Sequence, residues 1–466
     1  MKKICAMLLA AVMLLSACSS GTPSSSGETK NGSSQTETDK TTGTADPSAP
    51  KTTEEPQPQT DPAGSEIIIW TFSGEEERTR TVCEKYVGRP QQAVPAPEGG
   101  WKITVRTVSA EEAVSRLQAA AAADPAGETQ SGEELPDIFF FRSDDFDLLK
   151  AGGFLTRVPE KGANDVAKKA EASAVSAGSS ENTLYAYPAG LLAAPLLFYD
   201  RSIVADTADL ASVIRQCEAA GRCFYAGEKK ADLAAAVFQS CGLTYVPTVL
   251  SDGSVSRVSC TYYREGGLAA AGVIRSLMGM SGFRTTEESP VLAFSAEEDR
   301  AGAVIADSSH AAEFRGVLGD DYGISALPPI TDGETSIPLC AQGSYMMIGV
   351  TPEADENRLQ FCHLLALELT SSDAQRARFE ANGTLPVRTS LLTPGFTADN
   401  KTASALAEQM PNVTRKTVVT GGYQEAMDRF AAQLLAGGDG MKTAKIQQLL
   451  DELSAFLMAD VTKAQE

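Results

Sequence analysis

Histidine and tryptophan are the scarcest side chains in this chain of 466 residues, with two of each. His310 and His363 are too few for a histidine-built metal cage, and they leave few places for a Ser-His-Asp triad. Positive charge is also short: 40 Lys and Arg stand against 61 Asp and Glu, a formal net charge of −21. Sequence-independent nucleic-acid binding needs clustered cations, so no nucleic-acid partner is expected, nor a basic face against an anionic membrane. After residue 15 there is no run of 18 apolar residues, so no later segment is expected to span a bilayer. The sequence has no CxxC pair, which argues against a zinc ribbon or a thioredoxin-type centre. The Gly-Gly pairs at 152–153, 266–267 and 421–422 lack a phosphate-loop pattern.

What is present begins with Lys2 and Lys3 ahead of an apolar run, Ile4 to Leu15, of signal-peptide length. Leu15-Ser16-Ala17-Cys18 follows and resembles a bacterial lipobox. That resemblance implies a signal peptide over 1–17 and a lipid on Cys18, which would place the protein on the outer face of the bacterial cytoplasmic membrane. Residues 18–65 then read as a tether, rich in Ser, Thr, Gly and Pro and nearly without large apolar groups. Nearly all the excess acid lies after residue 65. With Cys5 removed and Cys18 lipidated, seven cysteines remain, an odd number, and sequence does not decide between disulfides and buried thiols.

From residue 66 the pattern alternates between short apolar runs and helical stretches. Glu66–Trp70, Lys102–Val108 and Asp137–Phe141 read as strands. Ser73/Glu76, Ser109/Glu112 and Ser295/Glu298 have capping-box spacing. Glu353 to about Ala381 reads as one long helix closed by Asn382-Gly383, and the chain from about Thr402 reads as mostly helical. Strands alternating with helices at this pace predict an α/β fold, with ligands beyond the carboxyl ends of the strands. Trp70 to Ser73 and Arg142 to Asp145 stand at two such ends. The acid pairs Asp144/Asp145 and Asp320/Asp321 read as solvated or turn residues rather than glycosidase carboxylates, and no catalytic residue, metal or cofactor is assigned.

Seven segments carry a resemblance by their order: Ile67–Gly74, Pro136–Phe140, Leu184–Pro188 leading to Leu197–Asp200, Ala301–Asp307, Tyr322–Pro328, Leu369–Gln375 and Gly383–Arg388. The order is similar to that of extracellular solute-binding proteins of ABC importers, the carbohydrate-type family that includes maltose-binding protein. The resemblance implies a two-lobed periplasmic-binding-protein-like α/β fold with three hinge crossovers, near Tyr187–Leu192, Ile324–Pro329 and Gly383–Arg388. The first lobe would comprise 66–188 and 324–385, the second 189–323 and 386–466. It implies ligand contacts at Trp70, Phe72, Ser73, Arg142, Ser143, Asp144, Tyr187, Gly190, Asp307, Ser308, Ser309, Gln342 and Gly343. It further implies a monomer that binds a small solute, a sugar first of all, and passes it to permease subunits. The turn Asp307-Ser308-Ser309-His310 lacks the Trp that sugar-binding members often carry there, so a small polar solute stays open beside an oligosaccharide. A lipoprotein enzyme acting on carbohydrate, and a sensory binding protein for a membrane kinase, are the alternatives.

Overall fold

The computed structural model describes residues 66–89, 94–122, 134–227, 229–286, 288–438 and 440–461. The expected signal peptide, Cys18 and the tether lie outside the described residues. Strands β1 (Glu66–Phe72), β2 (Lys102–Val108) and β3 (Ile138–Arg142) open the chain. A short hairpin, β4 (Ser179–Ser180) and β5 (Thr183–Leu184), precedes β6 (Tyr187–Ala193) and β7 (Pro195–Asp200). Next come β8 (Cys223–Tyr225), the ribbon β9 (Tyr245–Val249) with β10 (Val255–Cys260), and β11 (Phe283–Arg284). Strands β12 (Ala301–Asp307) and β13 (Tyr322–Ser325) are followed by the ribbon β14 (Ile330–Asp332) with β15 (Thr335–Ile337). The long β16 (Ala341–Val350) and β17 (Val413–Arg415) complete the set.

Two sheets result. The first runs β17-β16-β3-β1-β2, with β6 also paired to β16; the second runs β11-β8-β12-β7-β13. In the first, β1 is parallel to β2 and β3, while β16 is antiparallel to β3 and β6. In the second, β7 is antiparallel to both β12 and β13. The apolar run of β1 is buried from Ile67 to Phe72 without alternation, as expected of a parallel strand covered on both faces. No described helix is long and apolar enough to cross a membrane.

The chain changes sheets at Ala194. Its N–H donates to Ser308 Oγ (3.3 Å), and its carbonyl accepts from Ser308 N (3.0 Å). The stretch Tyr187–Leu192, where the sequence suggests a crossover, is therefore still a strand of the first sheet. The second passage also comes later than 324–329. Leu210 N donates to Pro329 O (2.9 Å) and Thr331 Oγ1 to Asp209 Oδ1 (2.6 Å), which hold this segment to the second half until β16 begins at Ala341. Gly383–Arg388 stays with the first half through bridges Leu191–Leu385 and Ala170–Arg388. Helix Lys401–Gln409 then packs on β13, β17 returns to the first sheet, and helices Tyr423–Ala436 and Thr443–Ala459 pack on the second half.

Three local expectations change. The long helix is two, Glu356–Leu369 and Ser372–Asn382, because Ser371 leaves the helix at its break and caps the second segment through Ala374 N (3.3 Å). Gly383 closes it at φ +78°, the left-handed geometry of a C-terminal cap. Ser295 ends a short 3-10 turn that runs into β12 instead of starting a helix. Ser73 makes no cap: helix Glu76–Val87 starts at Glu75, whose carboxylate is engaged elsewhere. Ser109 does accept from Glu112 N (3.2 Å).

Candidate functional site

A cavity of ≈ 740 Å³ opens between the two halves. Its first wall carries Asp147 and Lys150 from helix Phe146–Ala151, the β4–β5 turn, Tyr185, and Gln342 with Thr414 and Arg415 on β16 and β17. Its second wall carries Gln239 from helix Lys230–Ser240, the whole of β9, Arg257 on β10, Tyr262 and Tyr423. The β4–β5 turn reaches the cavity because Glu181 (φ 50°) and Asn182 (φ 62°) adopt the left-handed conformation that tight hairpins require. The β9–β10 ribbon rests on helix Thr443–Ala459 and approaches helix Phe146–Ala151 across the opening.

Polar groups in the walls divide into committed and available ones. Arg415 donates to Asp147 Oδ1 (2.7 Å) and to the carbonyls of Ala177 (3.3 Å) and Ser179 (3.0 Å), with its guanidinium 4.4 Å from the centre of the Phe146 ring. Gln239 Nε2 donates to Thr414 Oγ1 (2.9 Å), a bond from one wall to the other. Gln342 Oε1 accepts from Thr417 N (3.3 Å). The hydroxyls of Tyr262 and Tyr423 lie 3.2 Å apart, and burial pushes both phenols upward, so they stay neutral. The ring of Tyr245 meets Tyr423 edge-on at 4.8 Å. Such walls offer rings for the faces of a ligand, and amides and hydroxyls for its edges.

Of the residues singled out in the sequence, Gln342 lines this cavity. Others gather where the strands of the two sheets approach each other. Ser143, at the end of β3, accepts from Tyr345 N (3.0 Å) and lies 3.4 Å from Asp144, which pairs with Lys416 (3.6 Å). Arg142 is ion-paired with Glu111. A Cβ on Gly343 would meet Val413 Cγ1 at 2.6 Å and Ala193 O at 2.8 Å, so this glycine allows β16 to lie against the first passage. Gly190 is closed in by Thr384 Cγ2 (2.5 Å) in the same way. Asp307 accepts from Ser309 N (2.9 Å) and shapes the turn that holds Ser308 against Ala194. Ser309 and Ser73 are exposed.

Trp70 and Tyr187 are corrected to core residues. Trp70 is 0% exposed because both faces of β1 are covered, and Tyr187, at 1%, turns its hydroxyl to His363 Nδ1 (3.0 Å). Phe72 is buried edge-on against Phe140 (6.2 Å). Sequence reasoning missed Lys150, Tyr185, Tyr245, Arg257, Tyr262 and Tyr423. The ribbon β9–β10 alternates in burial at Tyr245, Pro247 and Val249 and again at Val258 and Cys260, a period of two that could have marked it as a half-buried hairpin. Among the described residues no group of three or more His, Cys, Asp or Glu side chains is placed to hold a metal ion. Burial and the neighbouring Asp144 raise the Asp145 carboxyl to about 6.

The sequence matches no known family description and no curated protein. Solved structures do match. The unliganded maltodextrin binding protein of L. casei BL23 superposes with a TM-score of 0.62 at 15% identity, covering 86% of this chain and 100% of its own. The fold is that of the two-lobed solute-binding proteins. A cyclo/maltodextrin-binding protein complexed with maltotetraose gives 0.61 at 14% identity, covering 85% and 98%. The extracellular solute-binding protein of Staphylococcus aureus in complex with maltose gives 0.59 at 14% identity, covering 86% and 98%. In a fold of this kind the two sheets are the cores of the two lobes, and the cavity is the cleft between them.

Proposed function

We propose that this chain is a lipid-anchored extracellular receptor that takes a carbohydrate into the cleft between its lobes and delivers it, chemically unchanged, to the permease of an ABC importer. The observation that carries the reading is the cavity of ≈ 740 Å³, lined from both lobes by rings, amides and hydroxyls. The proteins of the same fold solved in complex with maltose or maltotetraose support a sugar as the ligand class. The Leu15–Cys18 sequence supports the anchor. The lobes turn about the passages at Ala194, before Ala341, after Arg388 and on either side of β17. A solute touching both walls favours the closed arrangement by its extra contacts there, and the permease reads that arrangement.

The test is a thermal-shift survey of the full-length chain in detergent against sugars, amino acids, polyamines and metal ions. A ligand at 100 times its Kd stabilises the folded state by about 2.7 kcal/mol. The expected result is a shift with a class of sugars, with the sugar recovered intact afterwards. Cleavage of the sugar, or a shift confined to other solutes, would overturn the reading. The anchor has its own test: Cys18→Ala should abolish acylation and release the protein from the membrane fraction.

A further inference from the structure

The charge of the cleft departs from the charge of the chain. Acids outnumber bases 61 to 40 overall, yet the cavity wall carries three cations, Lys150, Arg257 and Arg415, against two carboxylates, Asp147 and Glu181. Arg415 and Asp147 neutralise each other at 2.7 Å, and Nη1 of that guanidinium donates to two backbone carbonyls. Among the described residues no carboxylate pairs with Lys150 or Arg257. Lys150 belongs to the first lobe and stands 5.5 Å from the centre of the Tyr185 ring; Arg257 belongs to the ribbon of the second lobe. The cleft thus presents from each side a cation with no carboxylate partner among the described residues, Lys150 lying over the ring of Tyr185. An acidic surface elsewhere repels an anionic solute, so these two cations supply the local attraction that admits one.

We propose that the solute is an anionic saccharide, one whose ring carries a carboxylate or sulfate, held between Lys150 and Arg257 with Tyr185 against the sugar face. The inference rests on the reading of the chain as a sugar receptor. It adds a reason for closure: an anion drawn to both cations is bound more strongly when the lobes come together, and charge-assisted hydrogen bonds are the strong ones.

Isothermal titration of the full-length chain in detergent, with maltotriose, a uronate-containing trisaccharide and a sulfated trisaccharide, tests this. An acidic saccharide should bind at least about tenfold tighter than the neutral one at about 0.1 M ionic strength. The preference should shrink at about 1 M, where the Debye length falls from about 10 Å to about 3 Å. Lys150→Met and Arg257→Met should each shrink it as well, with melting curves confirming that both variants fold. Preference for the uronate or for the sulfate tells which acid the cleft takes, and either supports the proposal. Equal or tighter binding of maltotriose overturns the anionic ligand while leaving the receptor reading intact. A preference that survives both substitutions overturns the roles of the two cations. Failure of every saccharide to bind overturns the receptor reading with it.

Discussion

The two lobes are held together by different physics. The first is organised by buried polar groups. Asp137 accepts from Ile68 N (2.7 Å) and from Arg358 through two nitrogens (2.7 and 2.9 Å). Glu75 accepts from Arg378 (3.0 Å), Arg78 (2.8 Å) and Asn382 (2.8 Å). Gln375 donates to Thr370 O and Pro188 O and accepts from Val387 N and Arg388 N, so one side chain ties the helix break, β6 and the Gly383–Arg388 segment together. Rings pack in both lobes, Trp101 on Phe361 at 4.7 Å in the first, but the second leans on them without a fully buried ion pair among the described residues: Phe198 stacks on Phe314 at 4.2 Å, and Phe238 stacks on Tyr262 at 4.1 Å and touches Phe430 at 5.7 Å. Directional bonds fix segments at defined angles and fail steeply when one partner is lost; ring packing is tolerant and indifferent to pH. The lobe that anchors β6 and the Gly383–Arg388 segment is the one built from directional bonds.

The strongest way to break the comparison is Arg378→Met. Arg378 and Glu75 are both about 2% exposed, and removing the cation leaves a buried carboxylate with only Arg78 as a charged partner. The expected loss is about 3–5 kcal/mol, read as a lower urea midpoint. Adding Glu75→Gln to the same chain should recover part of it, since the uncompensated charge is then gone. A single variant with the midpoint of the parent chain would refute the ionic account of the first lobe.

Acid should separate the lobes next. Burial holds His363 down to about 4, so between pH 6.5 and about 4 the unfolded chain takes up a proton that the folded chain refuses. Stability therefore falls with pH across that window, by at most about 1.4 kcal/mol per unit from this group. Asp145, raised to about 6, works in the opposite sense: the folded state binds its proton first, and stability rises as pH falls from about 6 to 3.8. Because Asp145 is half-exposed, its effect is the weaker one. Denaturation at pH 7, 6, 5 and 4 should show His363→Gln flattening the acid loss and Asp145→Asn deepening it. Identical profiles for all three chains would remove both groups from the account.

The fold was legible in the sequence to the extent that one residue type repeated. The β-branched run Ile67–Ile69 and the Phe139–Phe141 run announced buried strands, and Ser109 announced its helix. The break at Thr370 was hidden because helical periodicity continues across it; beside the Ser371 cap, Thr370 O is held by Arg388 Nε (2.9 Å) from eighteen residues away. The candidate site was less legible. Strand-end reasoning located Ser143, and the resemblance to solute-binding proteins Gln342 and Gly343, near the approach of the two sheets, but neither could tell that Trp70 and Tyr187 turn into the core. The cavity wall itself draws on Lys150, Arg257 and Tyr423, which no local motif joins and only the tertiary fold brings together.

Gly343→Ala sharpens the boundary between the lobes. Its Cβ would sit 2.8 Å from the Ala193 carbonyl, a backbone atom that cannot swing aside, and overpacking of this kind costs about 1–3 kcal/mol. Thermal denaturation should register the loss. An unchanged melting temperature would show that the passage at Ala193–Ala194 shifts freely, and the glycine would then have no packing role.

The smallest expected effect belongs to the aromatic lobe. Phe198→Leu keeps an apolar side chain in β7 while removing the stacked ring from Phe314, whose other face meets Phe294 edge-on at 5.8 Å. The aromatic pair contributes about 1 kcal/mol beyond its buried area, so the urea midpoint should drop modestly. The discriminating feature is pH. The ring of His310 meets Phe314 edge-on at 6.5 Å, so with His310→Gln in both chains the difference between this variant and the parent should be the same at pH 7 and pH 4. That constancy would contrast with the pH-dependent difference expected for His363→Gln. A Phe198→Leu deficit that grows in acid would mean that the second lobe also leans on titrating groups, and the division between a lobe of directional bonds and a lobe of rings would fail.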